Sequence, residues 1–145
     1  MPKGTTFSND LVGLTFNGTA IADIAENDTS APLTDLYLAL HTTTPGAGGN
    51  QTTGEVNYTN YARVALARTT AGWVAPTAGV TSNTALAQFP TCGVTGATAN
   101  FVSIGTVAYP GTGKVLYFGA LNSPLAIANL ITPQFSASAL TVTES

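Results

Sequence analysis

Charge is what this chain has least of. Asp, Glu, Lys and Arg make up 8% of its 145 residues, where an ordinary soluble domain carries about a quarter. The cations are Lys3, Arg63, Arg68 and Lys114, scattered along the chain. They cannot form a stripe that tracks a phosphate backbone, so nucleic-acid binding is not expected. A single cysteine, Cys92, excludes an internal disulfide framework and a thiolate metal cage. With no cation near it in sequence to lower its pKa, Cys92 reads as a small half-buried residue rather than a reactive thiol. Long hydrophobic runs are missing as well. They stop at roughly five residues, where a membrane helix needs about 20. Met1-Pro-Lys-Gly-Thr-Thr is not followed by the apolar stretch of a secretory leader. These absences lead us to expect no membrane partner, synthesis in a cytoplasm, and a protein that stays soluble or assembles there.

Catalytic groups are equally sparse. His41 is the only histidine, and a nucleophile system built on it needs a Ser or Cys and a carboxylate converging on the ring. Asp35 lies six residues away, about 20 Å along an extended strand, so His41 reads as a strand-end residue satisfied by a loop carbonyl. Gly111-Thr-Gly-Lys114 has the look of a phosphate loop, but the pattern requires Gly at 108 and Ser or Thr at 115. These are Ala108 and Val115, so the segment reads as a hairpin turn. The seven carboxylates show no metal-binding spacing. No catalytic residue, metal, cofactor or small-molecule substrate is expected.

What is present is apolar and hydroxyl-rich. Hydrophobic residues make up 44%, and the surface must be built from Thr, Ser, Asn and Gly. Such a surface repels neighbours poorly and suits a protein packed against others. The strongest local signal is Leu36-Tyr-Leu-Ala-Leu-His41, whose alternation predicts a strand with its leucines in the core. Residues 62–68, 84–89, 99–106, 115–121, 125–127, 131–135 and 140–143 read as further short strands. Residues 75–83 read as a polar connection, and the turn at 109–114 marks a hairpin. Strands separated by turn signals roughly every ten residues predict a mainly β protein, an antiparallel, jelly-roll-like β-sandwich. Leu36, Leu38, Leu40, Val64, Leu66, Phe101, Ile104, Leu116, Phe118, Leu140 and Val142 form the expected core. Phe101 and Ile104 can share a face only across a bulge.

One short helix is predicted near residues 8–16. Phe7, Leu11 and Leu14 form its apolar stripe, Ser8 or Asn9 caps it, Asp10 sits in its first turn, and Asn17-Gly18 stops it. Ile21 and Ile24 could extend it, whereas Glu26–Ser30 reads as loop. We therefore divide the chain into a helix and arm, 1–32, and a β-sandwich, 33–145. The loop Thr43–Glu55 has no apolar anchor before Val56, and the helix is too short to stand alone. Both are expected to be ordered by neighbours. Candidate partner-binding residues are Phe7, Leu11 and Leu14 on the helix, Gly48 and Gln51 in the loop, and the aromatic faces of Tyr58, Tyr61 and Trp73. Core packing is the alternative for Trp73.

The order of segments resembles a family of small tailed-phage virion proteins. The matching pieces include Asn17-Gly-Thr19, Leu36-Tyr-Leu-Ala-Leu-His-Thr42 with Pro45-Gly46, Tyr61-Ala-Arg-Val64 and Phe89-Pro90. Further along are Ile104-Gly105, Leu116-Tyr117, Gly119-Ala-Leu121, Ile131-Thr-Pro133 and Ala139-Leu-Thr-Val142. The resemblance covers most of the chain from residue 34, and residues 20–32 depart from it. Proteins of this kind are labelled tail-fibre or phage structural proteins, and they are also similar to the cement (decoration) proteins of capsids. The resemblance implies a non-enzymatic virion component. One form is a trimeric cement protein that binds the major capsid protein and copies of itself. The other is a tail or fibre protein touching the host surface, with glycan as a conceivable ligand.

Overall fold

The computed structural model describes residues 5–21 and 33–144. The loop reading of Glu26–Ser30 and the helical continuation through Ile24 lie outside them. The protein is mainly β, with one short helix near its N-terminus. Its contacts group it into two units interleaved in sequence. Unit 1 comprises residues 1–35, 66–86 and 135–145, and unit 2 comprises 36–65 and 87–134. The N-terminal helix thus shares a unit with two later segments.

In unit 1, α1 (Thr5–Val12) runs into a π-helical turn, Gly13–Asn17. The expected stop is present: Gly18 is left-handed at φ 65°, and its N–H returns to the Gly13 carbonyl, a conformation glycine reaches without a Cβ penalty. The helix start differs from expectation. Because α1 begins at Thr5, Ser8 and Asn9 lie inside it and no acidic residue occupies the first turn. Asn9 instead accepts a hydrogen bond from the Gly79 N–H. The buried face is also rotated from the expected one. Ser8, Val12 and Phe16 are buried, while Phe7 is 37% exposed and Leu11 and Leu14 are half-buried. Phe7, Leu11 and Leu14 lie at i, i+4 and i+7 and Ser8, Val12 and Phe16 at i, i+4 and i+8, so either set can line one helix face, and Trp73 selects between them, because Phe16 packs edge-on against its ring at 4.5 Å. The last strand returns to mid-chain, where β3 (Val80–Ser82) pairs antiparallel with β8 (Thr141–Thr143). Residues 75–83 are therefore not merely a connection. Leu140 and Val142 are buried there as expected.

Unit 2 is built on a four-stranded sheet of order β2-β1-β5-β6. Its strands are β1 (Asp35–His41), β2 (Val64–Ala67), β5 (Ala97–Gly105) and β6 (Val115–Ile127). Two-residue strands β4 (Ala87–Gln88) and β7 (Gln134–Phe135) pair separately. The expected hairpin is β5–β6, antiparallel, with Phe101 opposite Ala120 and Ile104 opposite Tyr117. The register slips between Ala99 and Phe101 and between Ile104 and Gly105. Across the first slip, β6 inserts three extra residues and absorbs the separate strand expected at 125–127. Ile104 is buried and Phe101 half-buried.

The expected core needs correction: Val64, Leu66 and Leu116, assigned to it, are only half-buried. Leu36, Leu38 and Leu40 are buried, but so are Ala39 and His41 on the opposite face of β1, so the alternation does not separate core from solvent there. The reason is the loop 43–55, which forms a second layer over that face. Phe118, assigned to the core, is 43% exposed. It lies on β6, an edge strand of the sheet among the described residues.

Candidate functional site

The loop Thr43–Glu55 carries the densest polar construction in unit 2, and it is held by its own chain. Gln51, 0% exposed, is its peg. Its Oε1 accepts from the Thr106 and Val107 amides, both at 3.0 Å, and its own N–H donates to the Gly113 carbonyl at 2.9 Å. Glycine is required at two places around it. A Cβ on Gly105 would stand 2.2 Å from Gln51 Cδ, and one on Gly113 would stand 1.8 Å from its Oε1. The expectation that neighbours order this loop is therefore corrected. The polar side chain of Gln51 anchors it, with Pro45 buried as well.

The loop ends on a buried ion pair. Glu55 Oε1 accepts from Arg63 Nε at 2.7 Å and from the Tyr61 hydroxyl at 2.8 Å, and Oε2 accepts from Arg63 Nη2 at 2.8 Å. Arg63 Nη1 donates to the carbonyls of Val107 (2.8 Å), Ala108 (3.3 Å) and Gly111 (2.7 Å). The Tyr61 hydroxyl also accepts from the Leu40 amide at 3.1 Å. One guanidinium thus ties the loop end to the β5–β6 turn with its donors satisfied, the condition under which burying a charge pair is tolerated. Tyr61 packs edge-on against Tyr58 (5.2 Å) and Tyr109 (5.1 Å). Burial and the adjacent Glu55 carboxylate push the Tyr61 hydroxyl pKa upward, and burial raises that of Tyr58 to about 12.

His41 lies beneath the same loop. Its Nδ1 is 2.9 Å from the Thr53 carbonyl and its Nε2 is 2.7 Å from Ser103 Oγ. A carbonyl can only accept, so Nδ1 carries the proton, and the Ser103 hydroxyl donates to Nε2. The loop carbonyl expected for His41 is thus Thr53. Ser103 was not anticipated. Ser–His contacts of this length occur in nucleophile systems, but here a backbone carbonyl occupies the carboxylate's place. Ser103 and His41 are both buried, so no substrate reaches the hydroxyl with the loop in place. Burial lowers the pKa of His41, which favours the neutral ring that this pairing needs.

The other sequence candidates distribute as follows. Trp73, Tyr58, Tyr61 and Gln51 are interior residues, so none offers the exposed ring or amide that partner binding was expected to use. Phe7, Leu11, Leu14 and Gly48 keep exposed or half-exposed surface. In unit 1 Arg68 caps the helical segment: its Nε donates to the Thr15 carbonyl at 2.7 Å and its Nη2 to that of Leu14, where a cation also suits the negative end of the dipole. Beside it, a groove of about 250 Å³ is lined by Asn9, Asp10, Asn17 and Thr70 among others.

The polar groups of unit 2 are thus spent on holding loops to a sheet, the work of a structural β-protein. A family model described as podophage GP4 fiber I protein gp80 matches residues 4–143, and the chain belongs to that family. It is a phage virion structural protein, in keeping with the resemblance carried by its turns and apolar positions. No curated protein matches the chain.

Proposed function

We propose that the chain is a structural subunit of a phage fibre. The observation that carries this reading is the match of residues 4–143 to a family described as a fiber protein, which takes in both units and all the described strands. The interior supports a passive, load-bearing role: the His41–Ser103 pair is closed over, and the Glu55–Arg63 pair is consumed by backbone and tyrosine partners. Its partners are neighbouring virion proteins and copies of itself. The exposed part of the Phe7–Leu11–Leu14 ridge in unit 1 and the loop tip at Gly48 in unit 2 are the sequence candidates still open to them. The protein is made in the host cytoplasm and works in the virion.

A capsid cement role is the second reading, favoured by the 8% charge content, since a weakly charged surface suits close lattice packing. Copy number and position separate the two. Quantitative mass spectrometry of purified particles, with immunogold labelling, is expected to give few copies located on fibres. Hundreds of copies spread over the head would replace the fibre reading with the cement one.

A further inference from the structure

Unit 2 holds one side chain that ordinarily changes charge near neutral pH, and the loop 43–55 lies over it. His41 is fully buried, and its ring nitrogens meet the Thr53 carbonyl and Ser103 Oγ at 2.9 and 2.7 Å. A proton added at Nε2 turns that nitrogen into a donor, so the Ser103 hydroxyl must reverse to accept. Among the described residues the Ser103 side chain has no other partner to take its own proton. The added charge is not matched either. Besides His41, the ionic side chains of unit 2 are Glu55, Arg63 and Lys114. Glu55 favours a charged ring and Arg63 opposes it, and the two are bound to each other at 2.7 Å, so their fields largely cancel. The Tyr61 hydroxyl, bonded to Glu55, holds its proton far above neutral pH. Lys114 is exposed and meets the loop through its backbone, at Asn50. A protonated His41 therefore needs water.

The loop is the route to that water. On the sheet side His41 is paired, standing opposite Phe101 in the β1–β5 ladder. The loop buries little of its own. Between residues 43 and 54 only Pro45 and Gln51 are buried, and Ala47 is exposed. Its ends are already joined. Thr42 N–H donates to the Gly54 carbonyl at 2.7 Å, Val56 N–H to that of Leu40 at 2.9 Å, and His41 bridges Glu55. A closed neck of this kind lets a compact surface loop lift away without breaking the ladder beneath it. What is lost is a set of polar contacts at Gln51 and Thr53 that water can replace. Little apolar surface is uncovered, which is the condition for opening locally at less cost than unfolding.

We infer that the loop 43–55 is an acid-released cover: a proton on His41 Nε2 frees it from the sheet while the β1–β5 ladder stays formed. The neutral ring is the latch. With its proton on Nδ1 it donates to Thr53 in the loop and accepts from Ser103 on the sheet. Burial weakens proton binding in the closed form, so the open form takes up the proton first and opening is favoured as pH falls below about 6.5. At higher pH both forms are neutral and the cover stays shut. The device lies within one chain, so it holds wherever in the virion that chain resides.

Hydrogen exchange of the full wild-type chain, resolved by NMR and corrected for the intrinsic pH dependence of exchange, tests this. The amides of Gln51 and Val107, bonded to the Gly113 carbonyl and to Gln51 Oε1, report the loop, and ladder amides of β1 and β5 report the sheet. Protection at Gln51 and Val107 is expected to fall by up to about tenfold per pH unit below about pH 6.5. It should stay below that of the ladder and be unchanged by sub-denaturing urea, which acts where much surface is exposed. The chain has one histidine, so ring nitrogen shifts follow its protonation directly, starting from the Nδ1-protonated neutral form at neutral pH. His41→Gln is expected to abolish the pH dependence of loop protection between about pH 6.5 and 5; should that variant not fold, the wild-type measurements decide alone. Loop protection indifferent to pH, loop and ladder amides exchanging together in one urea-sensitive process, or a ring that takes up its proton with Gln51 and Val107 still protected would overturn the inference. The same pH dependence in a folded His41→Gln chain would overturn it too, and would pass the role to Glu55.

Discussion

Replacing Gln51 with leucine tests how the loop 43–55 is held. The side chain keeps nearly the same volume, so no large void opens and the change is one of hydrogen bonding. Val107 N–H loses its acceptor, at 3.0 Å. Thr106 N–H keeps a second acceptor in the Lys114 carbonyl at 3.2 Å and loses less. The contact of Gln51 Nε2 with the Tyr37 carbonyl is long, 3.5 Å, and contributes little. Leaving one partly buried donor unsatisfied and weakening another costs about 2–4 kcal/mol. For a chain of this size that lowers the melting temperature by roughly 6–12 °C. Gln51→Ala should cost more, because a cavity then opens between Gly105 and Gly113. All five tyrosines lie in unit 2 and the lone tryptophan in unit 1, so near-ultraviolet dichroism of the tyrosines during urea unfolding reads the relevant unit. A shift in Gln51→Leu of under about 0.5 kcal/mol, the range of an ordinary surface change, would refute the claim that this side chain pegs the loop.

Removing one member of the buried ion pair, by Arg63→Met or Glu55→Gln, is expected to destabilise unit 2 by about 3–5 kcal/mol. The double variant should cost less than the sum of the two, as read from a double-mutant cycle of urea midpoints. Leu38→Ala should cost about 2–5 kcal/mol. His41→Ala should come close to it, since it strands the Ser103 hydroxyl and opens a void, in contrast to the small effect that a half-exposed strand-end histidine would have; thermal melts of the two variants compare them directly. Acid should weaken the fold through His41. Its folded pKa lies below the ordinary 6.5, so the unfolded chain takes up the proton first and stability falls as pH drops below about 6.5; His41→Gln should flatten that part of the profile. At alkaline pH the sign reverses in proton terms: Tyr58 and Tyr61 hold their protons beyond the ordinary 10, and stability should decline above about pH 10 as the unfolded tyrosines ionise. Absorbance at the tyrosinate band would show those two rings titrating with unfolding.

Periodicity alone determined the β class, the leucine face of β1, the β5–β6 hairpin and the Asn17-Gly18 helix stop, because each rests on interactions between residues near in sequence. The scarcity of charge held more than its first reading took from it. In a chain with so few ionic groups, an arginine set among Ala62, Val64 and Ala65 is itself a sign of a buried partner, and Glu55 lies eight residues before it. What sequence could not decide was which surface each apolar stripe meets. Val12 and Phe16 prevail over Phe7 and Leu11 because Trp73, some sixty residues later, packs against Phe16. Ala39 and His41 are interior because a polar loop folds back over them, pegged by a glutamine bonded to the Thr106 and Val107 amides and the Gly113 carbonyl. Phe118 is open, on a strand that is an edge of the sheet among the described residues. Each depends on contacts distant along the chain, and local alternation carries no information about them.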